Sequence, residues 1–279
     1  MGCMMAMVLQ AGAHASSSER PALSTEAVFG RHLGVADQQQ AIREFSSAPG
    51  RVLHRYEDGR LVAEIELPAN WRWWSSGDEK PPHDHSAPTM ALEILVLDGE
   101  LYLGDERLTR YDYLQWPAGF RADTLHTRKP AKLLVFFDPP RSGDPAEPRI
   151  VRTTPTDWGG SSVSQRDTGV ALKLEIRSLY KDDATGRWTW LLRAGPDLVL
   201  PWEVHRTVEE VYLVEGDYRL YECLPDGKTR FDYRPGGYFH RPAGIVHGGP
   251  DSGSPGDILM LLRTPTALTV EFKDGCSAP

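Results

Sequence analysis

The sequence predicts an all-β protein made of two small barrels in tandem, preceded by a short helical segment. Three observations point there. From Arg51 onward, short runs of aliphatic, β-branched and aromatic residues follow one another, punctuated by Gly, Pro, Asp and Asn, and many short strands at regular spacing mark a barrel or sandwich. Helical periodicity nearly vanishes over the same stretch. The two halves also carry the same landmarks in the same order. Leu92-Glu93-Ile94-Leu95-Val96-Leu97-Asp98-Gly99 parallels Glu209-Glu210-Val211-Tyr212-Leu213-Val214-Glu215-Gly216. Trp116-Pro117-Ala118-Gly119 parallels Arg241-Pro242-Ala243-Gly244, and Pro130-Ala131-Lys132-Leu133 parallels Pro255-Gly256-Asp257-Ile258.

Taken in order, residues 1 to about 22 lack a pattern and hold a Ser run at 16–18. Thr25–Phe45 has helical spacing at Val28, Leu33, Ile42 and Phe45, broken by Gly30 and Gly34, so residues 1–49 read as a leader with one or two short helices;. The first barrel is expected over 50–140, with strands at Leu61–Leu67, Leu92–Leu97, Tyr111–Trp116 and Leu133–Phe137. Residues 141–167, rich in Pro, Ser, Gly and Asp, read as a linker;. The second barrel is expected over 168–273, with strands at Ala171–Leu179, Trp188–Arg193, Val208–Val214, Tyr218–Glu222, Tyr238–Arg241, Ile258–Arg263 and Leu268–Phe272.

The chain has 279 residues, 40% hydrophobic and 25% charged, in the range of a soluble globular protein;. Its net charge of −8 repels phosphate backbones, which argues against a nucleic-acid partner;. No apolar run approaches the ~20 residues that span a bilayer, so no membrane partner is expected. Met4–Leu9 is apolar and Ala13-His14-Ala15 resembles a cleavage site, but no Lys or Arg precedes them;. We expect a cytoplasmic protein, with a secreted or periplasmic one as the alternative if residues 1–15 are a signal remnant. Cys3, Cys223 and Cys276 are far apart and form no Cys-x-x-Cys pair, so free thiols are expected;.

In the second half, His205 is followed by Glu209 and Gly216, and Gly236 by Pro242, Gly244 and His247. In these residues and spacings the chain resembles the cupin superfamily over roughly residues 50–272, and within it two-domain cupins related to ChrR-type and acetylacetone-cleaving-type proteins. The resemblance implies two double-stranded β-helix (jelly-roll) barrels and a metal site in a barrel mouth. His205, Glu209 and His247 would be ligands. Glu203 stands where the family has its first His, and it serves either as a fourth ligand or as a base beside the site. Two imidazoles and a carboxylate can cap one face of an octahedral ion and leave open positions, which suits Fe(II) first and also Mn, Zn, Ni or Cu.

The first half departs from the pattern. His83-Asp84-His85 is a His-x-His pair, but Leu92 takes the place of the family's Glu, and Glu93 should face the other way by strand alternation;. Tyr111 replaces the opening Gly of the second motif. Ala122, beside Asp123, replaces its His, and the nearest imidazole is His126. Either His83, His85 and His126 form a three-His site or the first barrel is a structural half. Glu210 is expected to face outward, and Trp71-Arg72-Trp73-Trp74 to pack or to line a pocket. His32, His54 and His240 are read as structural.

No phosphate loop or nucleophile elbow is present in the sequence. The resemblance points to a metal-dependent enzyme acting on a small molecule, with dioxygenase-type chemistry first. An isomerase, lyase or decarboxylase of a small carbonyl compound is the alternative, and Glu203 or Glu209 would be the proton shuttle. A metal-sensing module is disfavoured because residues 1–50 carry no zinc motif. A storage-type protein without a reactive metal is disfavoured by the second motif. A homo-oligomer is left open.

Overall fold

The computed structural model describes residues 40–42, 48–73, 89–120, 125–141, 144–153, 158–160, 174–196 and 198–276. Within them the secondary structure is β throughout, and every strand pairing is antiparallel. No helix among the described residues is long and apolar enough to cross a membrane.

Each half pairs two sheets, of seven and four strands in the first half and of six and seven in the second among the described residues. The seven-stranded sheet of the first half runs Gln40–Ile42, Ala48–Arg55, Leu61–Leu67, Ala131–Asp138, Ala91–Asp98, Tyr113–Trp116, Arg149–Val151. The six-stranded sheet of the second runs Gly159–Gly160, Leu174–Lys181, Trp188–Ala194, Ile258–Thr264, Glu209–Glu215, Tyr238–Arg241. The other sheets of the two halves share a pairing order. In the first, Arg72–Trp73 pairs with Leu125–His126, then Leu101–Leu103, then Glu106–Leu108. In the second, Trp202–His205 pairs with His247–Gly248, then Tyr218–Leu224, then Gly227–Tyr233. The other edge of Trp202–His205 pairs with Val270–Lys273.

The central strands read as unbroken apolar runs because both of their faces are covered. In Ala91–Asp98, Leu92, Ile94 and Val96 fill the first barrel while Leu95 and Leu97 join a layer between the barrels. In Ile258–Thr264, Ile258, Met260 and Leu262 fill the second barrel while Leu259 and Leu261 enter that same layer. The hairpin glycines are required twice over. Gly99 and Gly216 have φ of 75° and 81°, and a Cβ on either would collide with the carbonyl oxygen of Pro130 or Asp257. Tyr111, which stands where the second half has Gly236, keeps the backbone of its counterpart. It has φ 70° against 85° at Gly236, and its N–H donates to Val96 O as that of Gly236 donates to Leu213 O, both at 2.7 Å.

Polar groups cross the layer between the barrels. Arg187 and Arg263 of the second half donate to Glu93 of the first, and Arg263 also to Asp138. Tyr212 donates to Glu64 at 2.7 Å, and Tyr56 to Glu210. Glu93 therefore does face away from the barrel interior, held ionised by Arg263 and Arg187 against the effect of burial. Glu210 also leaves its barrel interior, but it is 3% exposed. Glu210 thus faces outward from its own barrel as expected and is buried all the same, because the outer face of that sheet packs on the other barrel.

Three further expectations change. Cys223 and Cys276 are not free thiols: they form a disulfide, with Cα atoms 5.5 Å apart. The segment after Val270–Lys273 carries Cys276 to the buried Cys223, a closeness that 53 residues of separation conceal. Of the helical expectation over Thr25–Phe45, Gln40–Ile42 is a strand paired with Ala48–Gly50, and the rest lies outside the described residues. Arg149–Val151, inside the stretch read as linker, pairs with Tyr113–Gln115.

Candidate metal centre in the second barrel

Glu203 and His205 are two apart on one strand and so share a face;. Glu203 is the register partner of His247 on the neighbouring strand. Nε2 of His247 lies 3.4 Å from Oε1 of Glu203, and Nε2 of His205 lies 3.9 Å from the same oxygen. The imidazole centroids are 4.8 Å apart. Among the described residues, Glu203, His205 and His247 form a group whose ligand atoms all lie within 4.8 Å of one another.

The rings are set by hydrogen bonds on their far nitrogens. Nδ1 of His205 is 3.1 Å from Thr269 O, and Nδ1 of His247 is 3.1 Å from Ile245 O. A carbonyl can only accept, so both Nδ1 atoms carry the proton and both Nε2 lone pairs face the group, the usual orientation of ligating histidines. Burial pushes the His247 pKa well below its ordinary value, with Arg241 and His205 adding to the effect, which keeps that lone pair available. Burial raises the Glu203 pKa, partly opposed by His205 and Arg241.

The donor set fits a divalent ion. Ligand atoms about 2.1 Å from a shared ion lie about 3.0–3.4 Å apart in octahedral or tetrahedral geometry; the Glu203–His247 pair meets this at 3.4 Å, and the Glu203–His205 pair is wider at 3.9 Å. Two imidazoles and one carboxylate are also the ligand types that such ions take.

Glu209, expected as a ligand, sits beside this group and outside the set whose ligand atoms all lie within 4.8 Å of one another. Its Oε2 is 3.9 Å from His205 Nε2, and the same oxygen accepts from Nη1 of Arg241, its cross-strand neighbour. Arg241 is 2% exposed and also grips Glu222 from Nε and Nη2 at 2.9–3.2 Å. Burial works against the Arg241 charge, and Glu222 and Glu209 outweigh it, raising its pKa. Arg241 and Glu222 were not singled out in the sequence. The motif spacing does not include them, and only the cross-strand registers of Glu209 with Arg241 and of Glu222 with His247 reveal them.

The first barrel places different residues at the corresponding positions. Trp73 pairs with Leu125 as Glu203 pairs with His247, and Leu92 with Trp116 as Glu209 with Arg241. All four belong to the apolar core, with Trp73 stacked 5.8 Å from Trp116. Trp73 thus packs, and Trp71 packs against the same core. His126, next to the inward Leu125, takes the other face and stacks on Tyr102 at 5.0 Å. His83, His85 and Ala122 lie outside the described residues.

Solved structures share this architecture. A candidate glyoxylate-induced protein from Pseudomonas aeruginosa matches with TM-score 0.59 and 16% identity, over 94% of this chain and 97% of the other. A candidate dioxygenase from Nostoc punctiforme matches with TM-score 0.57 and 19% identity, over 85% and 81%. A single-substitution variant of an oxalate decarboxylase from Bacillus subtilis matches with TM-score 0.52 and 12% identity, over 86% and 81%. The chain has the bicupin fold. These identities establish the bicupin architecture and leave the reaction open. No family model matches the chain, and no curated protein matches it.

Proposed function

We propose that this bicupin is a metal-dependent enzyme acting on a small oxygenated molecule through the second barrel, with dioxygenase-type chemistry first. The observation that carries the reading is the convergence of Glu203, His205 and His247 with both Nε2 atoms turned inward. These three residues would hold the ion. A divalent ion with open positions supplies Lewis acidity and, when redox-active, a means of engaging oxygen.

The chain's own residues orient and insulate the site. The carbonyls of Thr269 and Ile245 fix the two rings. Arg241 holds Glu209 at the edge of the group, and Glu222 braces Arg241 from behind. Tyr218, Val211 and Phe239, buried in the second barrel's core, exclude water from its interior.

Glu209 favours a second reading, a non-redox proton transfer such as a lyase, isomerase or decarboxylase reaction. It is a carboxylate beside the group, paired with Arg241, and so placed to take a proton from a bound substrate;. One experiment separates the readings. The purified chain is analysed for bound metals, then small diketones, enols and hydroxy acids are screened with and without oxygen. Oxygen uptake matched to substrate loss supports the first reading. Equal turnover without oxygen supports the second, and no metal under any loading condition defeats both. The disulfide also leads us to propose an oxidising compartment, since such bonds persist there;.

A further inference from the structure

The ligand-bearing face of the second barrel continues past the metal centre onto the C-terminal strand. Residues directly opposite one another in an antiparallel ladder point to the same face, with Cβ atoms about 4.5–5.5 Å apart. Glu222 pairs with His247, His247 with Glu203, and Glu203 with Phe272. One row of side chains therefore runs Glu222, His247, Glu203, Phe272. In the next row on that face, His205 pairs with Val270. The His205 ring also reaches towards this strand, since its Nδ1 donates to Thr269 O at 3.1 Å.

Exposure shows which end of the rows meets solvent. The Glu222 side chain is fully buried, that of His247 is 3% exposed and that of Glu203 16%. Phe272 is half-buried and Val270 is 37% exposed. Val270–Lys273 is also the edge strand of its sheet among the described residues. The metal centre is thus closed on the Glu222 side and opens on the side of the C-terminal strand.

Packing does not account for the apolar residues of that strand. Val270, Glu271, Phe272 and Lys273 alternate apolar and charged, the pattern of a strand with one face covered;. Yet the apolar face is the open one. Leu268 packs on the second barrel's core, whereas Val270 and Phe272 stand outside it. Binding sites for small molecules pair such apolar surface with a few polar groups that fix orientation. The charge at the site agrees. The Nε–Nη2 edge of Arg241 is taken by Glu222 and its Nη1 by Glu209, which disfavours a substrate whose far end is a second carboxylate;.

Resting on the metal-enzyme reading above, we propose that Val270 and Phe272 form the specificity wall of that site. The substrate binds the ion through its oxygens and lays an alkyl or aryl substituent against these two side chains.

The test uses the full chain loaded with cobalt(II), whose visible spectrum changes when an oxygen chelator joins its coordination. The probes are acetohydroxamate and hexanohydroxamate, which chelate alike and differ by four methylenes. Full burial of one methylene is worth about fourfold in affinity, so a half-open wall should favour the longer probe by about 10-fold. Val270→Ser and Phe272→Ser should each cut that ratio to about threefold or less, with cobalt per chain near the wild-type value by elemental analysis. Val270 is exposed, so its variant removes no core packing. Val199→Ser, at the other exposed large apolar side chain among the described residues, should keep the ratio. Failure of the wild type to hold cobalt would defeat the metal reading and this proposal with it. Cobalt held with a ratio near one, or a ratio that survives both strand variants, would overturn the proposal and leave the metal reading standing. A lower molecular mass of Val270→Ser by light scattering, with the ratio unaltered, would make the strand an interface between copies and overturn it too.

Discussion

The two barrels share a pairing order and a hairpin, yet among the described residues one interior is polar and the other apolar. At corresponding registers the second barrel has Glu203 with His247 and Glu209 with Arg241, while the first has Trp73 with Leu125 and Leu92 with Trp116. The lesson is energetic. A buried carboxylate or guanidinium is tolerated only with its partners in place, so a site of this kind is kept whole or replaced whole. In the described part of the first barrel the replacement is an indole stack and leucines, which need no partners at all.

The largest effect that would break this contrast is at the ligands. His247→Ala should weaken metal binding by about 100-fold or more, since loss even of an outer partner costs about 10–100-fold. Metal per chain should fall from about one to near zero. If two ions per chain are found and His83→Ala removes one of them, the first barrel is also a site and the contrast collapses.

Trp116→Ala should empty an indole-sized space in the first core and destabilise the chain by about 3–5 kcal/mol. Its metal content should stay unchanged, as read by denaturant titration beside elemental analysis. A loss of metal with stability intact would mean that the apolar barrel governs the polar one.

Next in size is the disulfide. Cys276→Ser should cost about 2–4 kcal/mol of stability. It should also weaken the metal about tenfold, because Cys276 ties down the segment whose strand Val270–Lys273 pairs with Trp202–His205, and whose Thr269 orients the His205 ring. Titration with a metal indicator checks it, and unaltered affinity would show that the ring needs no such brace.

The smallest effect concerns the seam between the barrels. Burial, with His54 and Arg60, lowers the His240 pKa to about 4. His54 stacks on it at 5.0 Å, and Tyr56 and Glu210 are its other neighbours. Its folded pKa lies below the unfolded value of about 6.5, so the unfolded chain binds the proton more readily. The neutral ring's contribution is therefore complete above pH ~6.5 and is lost as pH falls towards ~4, by up to about 3 kcal/mol. His240→Phe should flatten the stability profile over that window, and an unchanged slope would move the acid sensitivity to other groups.

Much of this was legible in the sequence because it is written locally. Strands such as Tyr238–Arg241 and Ile258–Thr264 follow from apolar runs between turn residues, and the repeated Gly99 and Gly216 hairpins announce the duplication. His205, Glu209 and His247 stand out by spacing, with Glu203 as the departure; the fold groups Glu203 with the two histidines and sets Glu209 beside them. What escaped depends on contacts between distant strands. Arg241 and Glu222 become visible only through register, and Cys223 finds Cys276 only once the sheet has formed. Alternation correctly sent Glu93 and Glu210 out of their barrels, but it could not say that a second barrel waits on that side.

That last feature bears on how the halves could be used separately. Glu93 and Asp138 of one half are matched by Arg187 and Arg263 of the other. A single half made alone would present a sheet face of leucines, tyrosines and unneutralised charge to water. Expressed as two polypeptides, one for each barrel, the chain should therefore behave as a split protein. Each piece should be aggregation-prone by itself, and mixing should restore a soluble pair that reports association directly through the metal it captures.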